Sequence, residues 1–202
     1  RNASTRKRAP GRLASLSPKQ QLASATRQCP TNASVRAKHV TSNGPWDCAG
    51  GERRPCAMTK SAIVFLAQGT EEMEFTIVYD ILVRGGVKVT SVYVPSEGAS
   101  ASPPDGVVVA SRGVKLGADT TLEALGDAVD AHDAFIVPGG AGGATTIAQH
   151  PAVLALLKAA CERGKVVGMV CAGTLAALHA QLGLGGPITS HPSVADKLSG
   201  GA

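Results

Sequence analysis

From Met58 onward the chain alternates short, wholly apolar runs with segments of helical period, and that alternation leaves few folds open. "SAIVFLA" (61–67) is apolar almost throughout, the pattern of a strand covered on both faces in a parallel sheet. In the following "EEMEFTIVYDILVRGG", Phe75, Val78, Ile81 and Leu82 recur at helical spacing, acids open the first turn and Gly85-Gly86 stand where a helix stops. "VKVTSVYV" (87–94) reads as the next strand, which completes a strand–helix–strand unit. "VVVAS" and "VKLGA" read as a hairpin around Arg112-Gly113, "TLEALGDAV" as a short helix and "AFIVPGG" as a strand. "PAVLALLKAACERG" has Pro151 in its first turn and Gly164 at its end, and "KVVGMV" supplies another strand. The expected architecture is an open, doubly wound α/β sheet with helices on both faces, whose ligands bind at the carboxyl ends of the strands.

Charge divides the chain at the same boundary. Residues 1–57 carry 11 Lys and Arg against Asp47 and Glu52, whereas residues 58–202 carry 9 against 13 acids. The basic balance therefore belongs to the leader and gives no reason to expect nucleic-acid binding by the domain. Aromatic residues make up 3% of the chain, too few for a base-stacking platform. No apolar stretch reaches the roughly 18 residues of a membrane-spanning helix. The leader is rich in Ser and Arg and poor in acids, the composition of an organelle transit peptide. It lacks an initiating Met, so it reads equally as spurious upstream sequence; in both cases disorder is expected. A real leader points to a plastid or mitochondrion, its absence to the cytoplasm.

Three strands end in chemically suggestive residues at what a parallel sheet makes one edge: "QGTEEME" leading to Glu74, Gly139-Gly140, and Cys171. Cys171 stands where an apolar strand meets the helix-like "AGTLAALHAQLG", a setting like a nucleophile elbow although the spacing differs from G-x-S-x-G. Backbone N–H groups at such a turn favour a thiolate; a free cysteine is as readily a small core residue. Cys161, among alanines late in a helix, reads as core. Charge at the positive end of a helix dipole accounts for Glu71 and Glu72, while Glu74 lies where a protonated carboxyl could donate to a thiolate. "PGGAGGA" has neither a dinucleotide fingerprint nor a P-loop lysine, but its glycines would let backbone N–H groups approach an oxyanion. His191, in "ITSHP", could return to the same cleft, and no histidine or cysteine spacing suggests a metal site.

Together "AIVFLAQGTEEMEF", "FIVPGGAGGA", "GMVCAGTLAAL" and "ITSHPSVADKLSGG" resemble the DJ-1/PfpI family of the class I glutamine amidotransferase-like superfamily, from about Met58 to Gly201. The resemblance implies a flavodoxin-like domain over residues 58–202, a homodimer when full length, and no cofactor. It implies that Cys171 is the nucleophile, Glu74 its carboxyl partner and His191 the nearby histidine. Gly139, Gly140 and the N–H of Ala172 would form the oxyanion pocket, with Arg112 near the dimer interface. Thr174 stands where relatives often carry Pro, and the chain ends before the family's last strand and helix.

The activity this implies is cofactor-free conversion of a small aldehyde such as methylglyoxal to lactate, a glyoxalase or deglycase reaction of hydro-lyase or hydrolase type with an oxidative-stress role. The alternative is a non-catalytic redox sensor or chaperone acting through Cys171 oxidation. A protease is disfavoured because Ala172 occupies the place where such relatives carry His.

Overall fold

The computed structural model describes residues 60–126, 128–183 and 187–199. The leader expected over 1–57 lies outside the described residues. Among them, no helix is long and apolar enough to cross a membrane.

The most apolar run, β1 (Ser61–Leu66), is the centre of the sheet, and Ala62 to Ala67 are wholly buried. It pairs in parallel with β2 (Lys88–Tyr93) on one side and with the strand Ala134–Val137 on the other. Between those two lie the hairpin β3 (Val108–Val109) and β4 (Lys115–Leu116), antiparallel as the sequence suggests, and β5 (Thr120–Thr121). Counting on, Ala134–Val137 is β6 and Val166–Met169 is β7. The main sheet runs β5-β2-β1-β6-β7, all parallel. The chain reverses direction across the sheet between β1 and β6, and a doubly wound sheet opens its ligand crevice at such a reversal.

Alternate residues of β1 feed two cores. Ile63, Phe65 and Ala67 join Val92, Phe135 and Val137 beneath α3 (Ala141–Gln149) and α4 (Pro151–Glu162), meeting Ile147 and Leu157. Val64 and Leu66 face the other way, onto Phe75 of α1 (Glu72–Arg84), Tyr93 and Val108 of the hairpin. Each buried large side chain contributes about 1.5–3 kcal/mol by leaving water. The short α2 (Leu122–Leu125), α5 (Leu175–His179) and α6 (Pro192–Ser199) complete the described helices. The glycines of "PGGAGGA" lie between a strand and a helix, and α3 takes in the last of them: it starts at Ala141, and Gly143 packs where an added Cβ would lie 2.5 Å from Thr70 Cα. Close packing there outweighs the low helix propensity of glycine.

The short edge strand β5 is bolted to β2 by side chains. Ser91, 2% exposed, donates from both N and Oγ to Asp119 Oδ2 at 2.8 Å, and Asp119 N donates back to Ser91 Oγ at 2.9 Å. Ser91→Ala is expected to lower the unfolding free energy by about 1 kcal/mol, measured by denaturant titration, since it removes the Oγ bonds to Asp119 Oδ2 and from Asp119 N while that N–H keeps Ser91 O at 3.1 Å.

Candidate functional site

The ends of β1, β6 and β7 meet at the reversal point. Val170 N donates to Val137 O at 3.1 Å, and the chain then turns at Cys171 into a 3-10 segment, Cys171–Thr174, before α5 begins. Cys171 has φ 57°, the left-handed region that side-chain-bearing residues occupy at a cost. The turn is held by Thr174 Oγ1 donating to Cys171 O at 2.9 Å and Gly173 N donating to Val170 O at 2.8 Å. The strain lifts the side chain out of the path from strand to helix, as an elbow requires. The thiol is partly buried and is the free cysteine among the described residues; Cys161 is buried, 6% exposed.

Glu74 reaches the thiol from α1 and makes a hydrogen bond with it. Three hydrogen bonds fix its aim. Glu71, the residue that caps α1, accepts the Glu74 N–H on Oε2 at 2.8 Å and donates its own N–H to Gly139 O at 3.0 Å. Gly139 N in turn donates to Glu74 Oε2 at 2.6 Å, closing a ring between the β1 and β6 turns. A side chain at Gly139 would overlap Glu74 Oε2 and come within 2.9 Å of Cys171 Cβ, so only glycine lets carboxyl and sulfur meet. Gly140 has φ 90° and packs against Glu71 N and Gly69 O, where a Cβ has no room.

The electrostatics reverse one expectation. Burial pushes the Cys171 thiol up, the Glu74 hydrogen bond and charge push it further, and the backbone N–H groups of Ala172 and Gly140 pull the other way without prevailing. The sequence suggested a resting thiolate receiving a proton from Glu74; burial and the neighbouring Glu74 instead hold the Cys171 thiol above its ordinary value. The cause is that desolvation and a neighbouring negative charge both penalise a second anion.

His191 arrives at the turn through its main chain, its N–H donating to Cys171 O at 3.3 Å. Its ring is engaged elsewhere: Nδ1 accepts from Ser193 N at 3.1 Å and lies 2.8 Å from Ser193 Oγ, at the start of α6. Arg112 is exposed on the hairpin, and its N–H donates to both oxygens of Glu72 at 2.9 and 3.2 Å, beside Ser111 Oγ at 2.8 Å. Burial raises the Glu72 carboxyl, but its own backbone, Ser111, the Arg112 N–H and the Arg112 charge outweigh that and hold it below the usual range. Glu71 and Glu72, which sequence reasoning left as dipole charge, thus act as cap and latch. Of these, only the cap had a local signal, an acid three residues before Glu74. Among the described residues no group of three His, Cys, Asp or Glu could hold a metal ion.

A doubly wound sheet whose reversal point carries a cysteine elbow, a glycine-fixed carboxyl and converging N–H groups defines the class. The chain belongs to the DJ-1/PfpI family, whose model matches residues 60–202. It is 35% identical over 147 residues to the Parkinson disease protein 7 homolog of Danio rerio, covering 70% of each chain. It is also 35% identical to the glutathione-independent glyoxalase DJ-1 of Schizosaccharomyces pombe, covering 68% of this chain and 71% of that protein. The solved structure of Schizosaccharomyces pombe DJ-1 superposes with a TM-score of 0.62 at 34% identity, over 70% of this chain and 73% of that one. These matches establish the flavodoxin-like fold.

Proposed function

We propose that this protein converts small 2-oxoaldehydes such as methylglyoxal to hydroxy acids, without glutathione or cofactor, through Cys171. The observation that carries the proposal is the thiol–carboxyl pair of Cys171 and Glu74 fixed by Gly139. The glyoxalase name of the fission-yeast relative supports the substrate class. In the first step Sγ bonds to the aldehyde carbon while its proton passes to Glu74, and the carbonyl electron pair becomes an oxyanion facing the N–H groups of Gly140 and Ala172. The oxyanion takes up a proton to give a hemithioacetal. A proton then leaves the sulfur-bearing carbon and one returns to its neighbour, with Glu74 as carrier, giving a lactoyl thioester. Water cleaves it, releasing lactate and restoring the thiol, so the overall change is addition of one water. Glu74 carries both proton transfers in this scheme, since the His191 ring is engaged by Ser193. The same attack on early glycation adducts would make a deglycase.

The test is lactate release from methylglyoxal in buffer free of glutathione and added metal; no lactate above the uncatalysed background overturns the proposal. Gly139→Ala is expected to lower that turnover about tenfold or more, read from initial rates, because its methyl displaces Glu74 from the sulfur.

A second reading is oxidant sensing. The partly exposed, free Cys171 beside Glu74 favours it, since the carboxyl could stabilise a sulfinate by hydrogen bonding. Peroxide should then add two oxygens at Cys171 before any methionine of the domain is oxidised. A homodimer is proposed through the outer face of α1, where Met73, Ile77 and Ile81 are 64%, 49% and 61% exposed at four-residue spacing, with Arg112 nearby on the latched hairpin.

A further inference from the structure

The acid that faces the sulfur is also the third residue of α1, and that position has a competing use. A helix start leaves four N–H groups without partners. A glutamate in third place can fold back to accept the N–H of the residue before the helix, whose side chain accepts the glutamate's own N–H in return. Half of that reciprocal pair is present: Glu71, just before α1, accepts the Glu74 N–H on Oε2 at 2.8 Å. The other half is replaced.

Gly139 stands between the two glutamates. The Glu71 N–H that Glu74 would have capped donates to Gly139 O at 3.0 Å, and the Glu74 Oε2 that would have capped it accepts from Gly139 N at 2.6 Å. One residue of the β6 turn thus takes up both partners of the missing bond. Gly139 O and the Gly140 N–H belong to a single trans peptide and point in opposite directions. Holding the oxygen on Glu71 therefore aims the Gly140 N–H at the sulfur, with which it makes a hydrogen bond.

The Glu71 side chain decides which use the Glu74 carboxyl serves. While Glu71 caps α1, the first turn has its acceptor and the Glu74 carboxyl is left for Cys171. Without that acceptor, the open N–H groups and the positive end of the helix dipole draw the nearest carboxyl back onto the helix, and in this turn that carboxyl is Glu74. We propose that Glu71 is a positioning residue: resting on the Cys171–Glu74 chemistry proposed above, its carboxyl caps α1 so that Glu74 stays on the thiol. Glu71 itself touches neither the sulfur nor substrate, and its charge is not among the groups that shift the Cys171 thiol.

The experiment compares two substitutions of similar length in the full chain. Glu71→Gln keeps an oxygen that accepts the Glu74 N–H, whereas Glu71→Met keeps the stem and removes the acceptor. Iodoacetamide alkylation is followed against pH on the Cys171 peptide by mass spectrometry. Glu71→Met should move the inflection to lower pH, because the thiol loses the Glu74 hydrogen bond that raises it, and Glu71→Gln should match the wild type. In lactate release from methylglyoxal, Glu71→Met should lower kcat about tenfold with KM within about twofold, and Glu71→Gln should restore kcat. Combined with Glu74→Gln, Glu71→Met should shift the inflection no further. Ser91→Ala, which weakens the β2–β5 edge, should leave the inflection in place. An unmoved inflection in folded Glu71→Met overturns the proposal and leaves Glu71 a structural cap. So does a shift that persists in the Glu74→Gln background, or a displaced inflection in Glu71→Gln, which decides the matter alone if Glu71→Met does not fold. Absence of lactate release by the wild type would sink the glyoxalase reading, while the alkylation results would still judge the role of Glu71.

Discussion

Cys171→Ala is expected to reduce lactate formation from methylglyoxal by at least about a thousandfold, the scale on which loss of an attacking nucleophile acts. The sulfur is the atom that bonds to substrate in the proposed scheme, and nothing beside it can stand in: Thr174 Oγ1 is committed to Cys171 O, and Ala172 offers only its N–H. Alanine keeps a Cβ, so the backbone at φ 57° is no more strained than before, and the turn bonds from Gly173 and Thr174 do not involve sulfur. The variant should therefore unfold at a denaturant midpoint close to that of the wild type. That check separates loss of chemistry from loss of fold. Retained lactate release by a folded Cys171→Ala protein would remove the cysteine from the mechanism altogether.

The turn that presents the sulfur was only partly legible in the amino-acid order. The apolar run to Val170 and the abrupt onset of "CAGT" locate a strand end, and parallel pairing of β1, β6 and β7 follows from alternating strands and helices. The left-handed φ of Cys171 and the 3-10 character of the next residues have no local signature; they arise because the turn is pinned from outside, by Val137 O and His191 N. The same holds for Glu72, whose partners Ser111 and Arg112 lie about forty residues away. The start of α3 was hidden for the opposite reason, since Gly142 and Gly143, which weaken a helix locally, are what let it approach the Gly69-Thr70 turn. The ring of His191 accepts the Ser193 N–H on Nδ1, a local bond at the start of α6 that apolar patterning does not report.

Glu74→Gln should separate the acidity of the thiol from its usefulness. The amide removes a negative charge and an acceptor that both raise the Cys171 thiol, while the N–H groups of Ala172 and Gly140, which lower it, remain. The inflection in the pH dependence of iodoacetamide alkylation should therefore move to lower pH than in the wild type. Turnover should nevertheless fall about a hundredfold or more, because glutamine can neither take the thiol proton nor carry one between carbons. The same sign governs stability. The folded thiol holds its proton more tightly than the unfolded one, so its contribution is present below the ordinary thiol value and is lost as pH rises through the higher folded value. Glu74→Gln should flatten that alkaline loss in denaturant titrations. An inflection that instead moves upward would mean that Glu74 donates to a thiolate at rest. The proton would then sit on the carboxyl before substrate arrives, and Glu74 would enter the cycle as an acid.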